Sequence, residues 1–427
     1  MADVLIDGLV NTGLQTRGLL LGPVWTSTLV GYAFSGHASD MYYSKTTDGG
    51  ATWAAAVQLV ASGAFRGGSV WFDKWTPGDV GTKIHVAWFE STGSDVHYIN
   101  LDTASDTISS ATTVFNGASA SGASAGFTNT ACFIAKSKGG NIYVGYDIDN
   151  GTEVGFNKST DGGANWSAAL ASPFEGVTDD TYILFPGNVA DPQDMWLIYW
   201  DNSANEISIK VYDDSLDSWA ETSIATSMSQ GTTVDLVMAM NGAVRKSDGH
   251  IILAAWNGHS APTADLRVWD VNGSASIVEK TVVITDTDQA AGIAVFINQV
   301  SNDIYLTYIR GTTYPGTTKV FYRVSTDGGA TWSGETAYSE AAEESHGAVW
   351  SDMGTNNGRF EPMWWKATSN TLVNKVNSIA IASGGAGTGG KGKGGGKGGG
   401  TGTPKPPGKF KSFGVGHWRW GEGRRWG

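Results

Sequence analysis

Thr46-Thr47-Asp48-Gly49-Gly50-Ala51-Thr52-Trp53 is one of three copies of an eight-residue phrase. The others are Ser159-Thr160-Asp161-Gly162-Gly163-Ala164-Asn165-Trp166 and Ser325-Thr326-Asp327-Gly328-Gly329-Ala330-Thr331-Trp332. Each follows a short alternating run: Met41-Tyr42-Tyr43-Ser44, Glu153-Val154-Gly155-Phe156 and Lys319-Val320-Phe321-Tyr322. A strand, a tight Asp-Gly-Gly turn and a Trp at fixed offset read as one hairpin used repeatedly. The Asp heads a turn whose amides its carboxylate accepts, and the glycines supply positive φ. The Thr52 and Thr331 hydroxyls are expected to bond back across the hairpin. Each Trp is expected to bury its ring between hairpin and sheet. Asp48, Trp53, Asp161, Trp166, Asp327 and Trp332 are therefore read as structural. The turn lacks the further carboxylates of a Ca²⁺ loop, and no metal is expected there.

A second repeat counts the units. It is a period-two strand closed by an aromatic: Ile84–Trp88, Ile142–Tyr146, Met195–Tyr199, Ile252–Trp256 and Ile304–Tyr308. The closing aromatics lie 58, 53, 57 and 52 residues apart. The frame extends back to Val30-Gly31-Tyr32 and forward to Met363-Trp364. Seven units of about 55 residues suit four-stranded propeller blades. The fold is expected to be an all-β, seven-bladed propeller, with six blades or a pair of sandwiches as alternatives. Ala2-Asp3-Val4-Leu5-Ile6 is a candidate closing strand. No stretch carries a sustained helical period.

The phrase resembles the Asp box of sialidases and other sialidase-like β-propellers. Two copies match fully, and Asn165 replaces the usual Thr in the middle one. A degenerate fourth, Tyr212 to Trp219, keeps Asp214 five residues before Trp219 but has no glycine. Sialidases hold the substrate carboxylate with three arginines and attack with a tyrosine paired to a glutamate, beside an aspartate acid/base. The first family arginine lies in an Arg-Ile-Pro motif; here only Arg17, in Thr16-Arg17-Gly18-Leu19, is near. His37 stands where the second arginine belongs. The nucleophile phrase corresponds to Ala348-Val349-Trp350-Ser351-Asp352-Met353, which puts Trp350 in the tyrosine position. An indole has no ionisable oxygen to attack with. The scaffold is retained and the chemistry is not, so no enzymatic activity is expected. Arg17, His37 and Trp350 are candidate ligand-mouth residues.

Other chemistry is equally absent from the sequence pattern. The seven histidines show no metal-ligand spacing, and no nucleophile elbow or phosphate loop occurs. No cofactor is expected. His85, mid-strand, reads as a packed residue, and Asp147, Asp149 and Asp201 as loop caps at the ends of strands. The single Cys132 excludes an intrachain disulfide framework. The N-terminus lacks the features of a secretory signal, and Leu19-Leu20-Leu21 is too short to span a membrane. The expected location is a virion, or otherwise the cytoplasm.

The chain divides into a propeller over 1–383, a Gly/Lys/Pro-rich linker over 384–409 and a basic aromatic segment over 410–427. Residues 384–427 carry nine Lys/Arg and one Glu, against 19 basic and 40 acidic residues in the remainder. The linker cannot bury a core, and its ends would stand on the order of 30 Å apart. Phe410, Phe413, Trp418, Arg419, Trp420, Arg424, Arg425 and Trp426 combine the residue types that dominate binding hot spots. They are candidate docking residues for another protein of a larger assembly. Nucleic-acid binding is the weaker reading, because no folded basic surface supports it. The expected function is a non-catalytic propeller in a larger assembly such as a phage virion, with cell-surface glycans as candidate ligands. The competing expectations are a divergent sialidase or other glycosidase, and a free lectin-like propeller.

Overall fold

A computed structural model describes residues 3–381 apart from 11–19, 38–39, 62–64, 91–94, 118–131, 149–152, 174–180, 189, 202, 230–239, 258–263, 287–288, 312–317, 340–345, 355–357, 367–368, 370 and 376–378. Among the described residues seven antiparallel sheets form the blades of a β-propeller, and a further two-stranded sheet pairs Arg359–Phe360 with Ile379–Ala380. Blade one is Val24–Trp25, Gly31–Gly36, Met41–Thr46 and Val57–Val60, from the axis outward. Blade two is Phe65–Phe72, Lys83–Glu90, Asp95–Asp102 and Thr112–Asn116. Blade three has three strands among the described residues: Cys132–Lys136, Ile142–Ile148 and Glu153–Ser159. Blade four is Thr181–Pro186, Met195–Asp201, Glu206–Asp213 and Ser218–Thr226. Blade five is Met240–Arg245, His250–Asn257, Ala264–Asn272 and Ser276–Glu279. Blade six is Gln289–Ile297, Ile304–Gly311, Thr318–Ser325 and Thr336–Ala337.

Blade seven is built from both ends of the propeller. His346–Trp350, Met363–Lys366 and Thr371–Lys375 come from the C-terminal side, and Asp3–Asp7 adds the outermost strand. The expected closing strand thus joins the last blade to the first. The aromatic-ended runs counted in the sequence are the second strands of the seven blades, one removed from the axis. The first strands pack side by side around the axis, Phe65–Phe72 against Cys132–Lys136 and so on to His346–Trp350. A short 3₁₀ turn, Asp73–Trp75, interrupts an otherwise all-β description.

Alternation of strand direction separates two faces. Turns joining first to second strands and third to fourth strands lie on one face, with all three boxes; it is called the box face below. Connections joining second to third strands, and each blade to the next, lie on the opposite, loop face.

The boxes share one geometry. Thr46 Oγ1 donates to Asp48 Oδ1 (2.8 Å) and accepts from the Gly50 amide (2.9 Å). Asp48 also accepts from the Thr52 amide (2.9 Å) and hydroxyl (2.6 Å). Ser159 and Asp161, and Ser325 and Asp327, repeat these bonds. The Thr52 hydroxyl therefore bonds the carboxylate inside the turn rather than across the hairpin, and Asn165 Nδ2 does the same to Asp161 at 2.7 Å. That amide is why Asn substitutes for Thr there.

Each box also locks its blade to the one before it. Trp53 Nε1 donates to Asn374 of blade seven (3.2 Å), and Trp166 Nε1 to Thr112 of blade two (3.1 Å). Arg359 of blade seven donates to the Gly49 carbonyl (2.9 Å), Thr112 to Gly163 O (2.8 Å) and Thr281 of blade five to Ala330 O (2.8 Å). The second glycine is where blades meet. A Cβ on Gly50 would fall 2.6 Å from Asn374, and one on Gly329 would fall 2.9 Å from Lys280. One on Gly163 would collide with the Tyr98 ring.

Blades two and four lack a box and use a different lock. Asp106 of blade two accepts from Tyr32 (2.6 Å) and Lys45 (2.5 Å) of blade one. Asp214 of blade four accepts from Tyr143 (2.8 Å) and Lys158 (2.6 Å) of blade three. Tyr32 faces Lys45, and Tyr143 faces Lys158, as cross-strand neighbours. The degenerate box thus works differently from the sequence alignment. Asp213, not Asp214, holds the turn, accepting from the Ser215 and Leu216 amides (3.0 Å each).

Two tests follow from this geometry. Gly162 and Gly163 both have positive φ, but only a Cβ on Gly163 meets the preceding blade. Gly162→Ala is expected to cost about 1–2 kcal/mol of backbone strain. Gly163→Ala is expected to cost a further ~1–3 kcal/mol from overpacking. Equal melting temperatures for the two variants would remove the close-approach explanation. The second test is pH. Hydrogen bonds from Thr52, Asn165 and Thr331 lower the Asp48, Asp161 and Asp327 carboxyls to about 2. A depressed folded value means stability that is fully present above the unfolded aspartate value near ~4 and lost as pH falls through about 2. Calorimetry should find Asp161→Asn less stable than the parent at pH 5, with the gap closing toward pH 2.

Candidate functional site

Sequence places candidate ligand contacts at the loop face, where second strands end. His37 follows the second strand of blade one. Its Nε2 lies 2.7 Å from Asp7 Oδ2, and its ring stacks on Tyr42 with centroids 3.7 Å apart. Ser35 Oγ donates to the same Asp7 oxygen (2.6 Å), and the Leu9 amide to the other (3.0 Å). Burial works to raise the Asp7 carboxyl, but the donors His37, Ser35 and Leu9 outweigh it and hold it below the usual range. Asp7 ends the closing strand, so this cluster also fastens the ring. Ser, Asp and His are present, but the carboxylate lies between the other two. The serine hydroxyl faces the Asp7 carboxylate rather than the imidazole, so the set is no nucleophile triad.

A second polar pair lies at the same face of blade two. His97 Nε2 is 3.1 Å from Glu90 Oε2, with the His97 ring beside Trp88. Asp201, at the end of its strand, accepts from Ser203 Oγ and the Ala204 amide (2.7 Å each), which is a loop cap. Asp149 and Arg17 lie outside the described residues, as do Phe410, Phe413, Trp418, Arg419, Trp420, Arg424, Arg425 and Trp426.

The structure does not bring His37 and Trp350 together. Trp350 closes the first strand of blade seven at the box-face end and is 1% exposed. His37 is at the other face. The phrase containing Trp350 instead contributes Asp352, which sequence reasoning quoted without assigning a role. Asp352 Oδ1 accepts from Trp75 Nε1 (2.6 Å) and the Gly354 amide (3.1 Å), and Oδ2 from the Trp25 amide (3.3 Å). Blades seven, one and two meet on this one buried carboxylate.

His85 is likewise structural. It is 2% exposed, with Nε2 2.9 Å from Asp73 and Nδ1 2.8 Å from the Tyr98 hydroxyl. Burial pushes its pKa down, so the neutral ring donates through Nε2 and accepts through Nδ1. Lys136 of blade three completes the group by pairing with Asp73 (2.5 Å) and Asp79 (2.8 Å).

The arginines decide what the scaffold can do chemically. Arg245 pairs with Asp248 and Asp270, and Arg267 with both oxygens of Glu279. Arg310 grips Glu335 through Nε and Nη2, and Arg323 donates to Tyr308 and the Ser333 carbonyl. Arg359 pairs with Glu361 and the Gly49 carbonyl. The side chains of Arg245, Arg267, Arg310, Arg323 and Arg359 are therefore committed within the scaffold. A Tyr–Glu couple does exist, Tyr308 donating to Glu335 at 2.7 Å. However, Tyr308 is fully buried, and burial and the Glu335 charge raise its pKa, the opposite of an activated nucleophile.

Eleven of the described tryptophans are buried, and the four half-buried ones are Trp53, Trp166, Trp219 and Trp332 of the box turns. Among the described residues no aromatic ring is exposed for sugar stacking. None of their His, Cys, Asp and Glu side chains gather into a metal-binding group.

No protein-family model matches the chain, and no curated protein matches it. Solved structures do resemble it distantly. Hydrazine synthase of Kuenenia stuttgartiensis aligns with a TM-score of 0.49 at 9% identity, over 89% of this chain and 98% of that one. A Hadza microbial sialidase aligns at 0.40 and 12%, over 89% and 66%. An Aleuria aurantia lectin bound to a fucosyl-GlcNAc aligns at 0.41 and 12%, over 70% and 89%. The chain is a seven-bladed β-propeller with distant structural similarity to sialidases, lectins and glycoside hydrolases. These identities speak to the fold alone.

Asp352→Asn tests the axial carboxylate. The amide keeps one acceptor but turns an N–H₂ toward one of the three donors. The expected loss is about 1–3 kcal/mol, read as a lower melting temperature. An unchanged value would show that the three donors find other partners.

Proposed function

We propose that this protein is a non-catalytic propeller that presents its loop face for glycan recognition. In this reading, residues 410–427 anchor it in a larger assembly, a phage virion. The observation that carries the non-catalytic part is the engagement of the arginines. A sialic acid carboxylate needs free, convergent guanidinium groups. Arg245, Arg267, Arg310, Arg323 and Arg359 are each held by carboxylates, carbonyls or a phenol of the scaffold. The pairs His37–Asp7 and His97–Glu90 support polar recognition at the loop face, since both are suited to sugar hydroxyls. The assembly part is supported by the Trp and Arg content of the C-terminal segment.

Three measurements test the proposal. A fluorogenic sialoside and a panel of other glycosides should show no turnover above the uncatalysed rate. A glycan array should give binding that persists after deletion of 384–427 and falls at least several-fold in His37→Ala. Turnover lost on Arg17→Ala would overturn the non-catalytic reading, and binding lost with the tail alone would move recognition off the propeller. Mass spectrometry of purified phage particles should find the chain, and its absence would refute the virion assignment.

A further inference from the structure

Four polar groups form an unbroken line across blade two. Asp73 lies in the turn after the first strand, His85 on the second strand, Tyr98 on the third, and Gly162 in the Asp box of blade three. His85 Nε2 is 2.9 Å from Asp73 Oδ1, and His85 Nδ1 is 2.8 Å from the Tyr98 hydroxyl. That hydroxyl is 3.2 Å from the Gly162 carbonyl oxygen. The three side chains are all buried. The Asp73 end reaches the axis, because Trp75 of the same turn donates to Asp352 of blade seven. The Gly162 end is at a third-to-fourth strand turn, and the Tyr98 ring abuts the next glycine of that box. The line thus runs from the axis to the seam between blades two and three.

The hydrogens along this line do not suffice for every contact at once. A phenol carries one hydrogen. Burial pushes the Tyr98 pKa up, so that hydrogen stays in place at neutral and acid pH. It faces two acceptors, His85 Nδ1 and the Gly162 carbonyl, and serves one at a time. While His85 is neutral, Nε2–H donates to Asp73, Nδ1 takes the phenol hydrogen, and Gly162 receives none from Tyr98. Once His85 is protonated, Nδ1–H donates to the phenol oxygen and the phenol hydrogen turns to Gly162. Asn100 Nδ2, 3.4 Å from the same oxygen, fits either state as a donor. We propose that Asp73, His85, Tyr98 and Gly162 form a pH-sensitive hydrogen-bond switch, in which a proton taken from water by His85 Nδ1 ties Tyr98 to the box of blade three. The charged groups around the imidazole come from every element packed on it. Asp73 and Asp79 belong to its own turn, Lys83 to its own strand and Asp102 to the third strand. Lys136 of blade three pairs with Asp73 (2.5 Å) and Asp79 (2.8 Å), and Asp161 is turned into its own box. Burial is the largest influence and lowers the His85 pKa; Asp73 opposes it, and Lys136 and Lys83 add to it. A lowered folded value means that the stability given by the neutral ring is fully present above the unfolded value near ~6.5. It is lost as pH falls through the folded value, so the switch operates on the acid side of about 6.5.

The test is NMR of the full chain between pH 7.5 and 4, with ¹⁵N in the histidine rings and ¹³C at tyrosine Cζ and glycine carbonyls. At pH 7.5 the His85 hydrogen should sit on Nε2 alone. On acidification Nδ1 should become protonated with a midpoint below pH 6.5. The Tyr98 Cζ and Gly162 carbonyl signals should shift with that same midpoint, the carbonyl downfield as it gains a hydrogen bond. Tyr98→Phe removes the hydroxyl and keeps the ring against Gly163. In that variant the Gly162 carbonyl should stay fixed while His85 titrates, and movement that persists would overturn the route through the phenol. If Tyr98→Phe does not fold, the shared midpoint of the three signals in the parent chain decides. A Gly162 carbonyl that stays fixed in the parent, a hydrogen on Nδ1 at pH 7.5, or a His85 that remains neutral until the chain unfolds would each overturn the switch.

Discussion

Each blade depends on the blade before it. A single four-stranded sheet leaves both faces to water, and only packing against neighbours on both sides buries them. The third-to-fourth strand turn is where this chain fixes that packing. In blades one, three and six the turn is an Asp box whose second glycine abuts the preceding blade. In blades two and four a turn aspartate enters the grip of a cross-strand Tyr–Lys pair. Both devices point backwards round the ring, so seam geometry propagates in one direction from blade to blade.

A ring assembled this way still has to close. The first Asp box against blade seven does part of it, and further contacts act at other places. Asp3–Asp7 adds the outer strand of blade seven. Asp7 then holds Ser35 and His37 of blade one at the loop face. Asp352 collects donors from blades one and two at the other end of the axis. A buried carboxylate is costly unless its lone pairs are filled, and here three donors fill them.

The distribution of charged side chains also bears on chemistry. Guanidinium groups that would need to converge on a ligand are distributed among separate blades as pairs with Glu279, Glu335, Asp270 and Glu361. The aromatic side chains follow the same logic. They fill seams, and the half-buried Trp53, Trp166 and Trp219 donate to the preceding blade. Among the described residues, the polar side chains of the loop face include His37 and His97, each beside an acidic partner.

The sequence by itself determined the architecture. Asp48, Asp161 and Asp327 each satisfy their needs within a few residues, so local spacing reveals them. The aromatic-ended runs recur because every blade has the same second strand, and their period therefore counted seven. Tertiary structure alone decided the roles of residues whose partners are far along the chain. Asp352 and Trp75 are 277 residues apart, and Trp53 and Asn374 are 321 apart. It also exchanged Asp214 for Asp213 as the turn holder, because the former is drawn to a lysine and a tyrosine one blade away. It set His37 and Trp350 at opposite faces, because strand direction alternates within a blade. A repeat is legible because its hydrogen bonds are local, whereas a seam or a site forms only when the ring brings distant turns together.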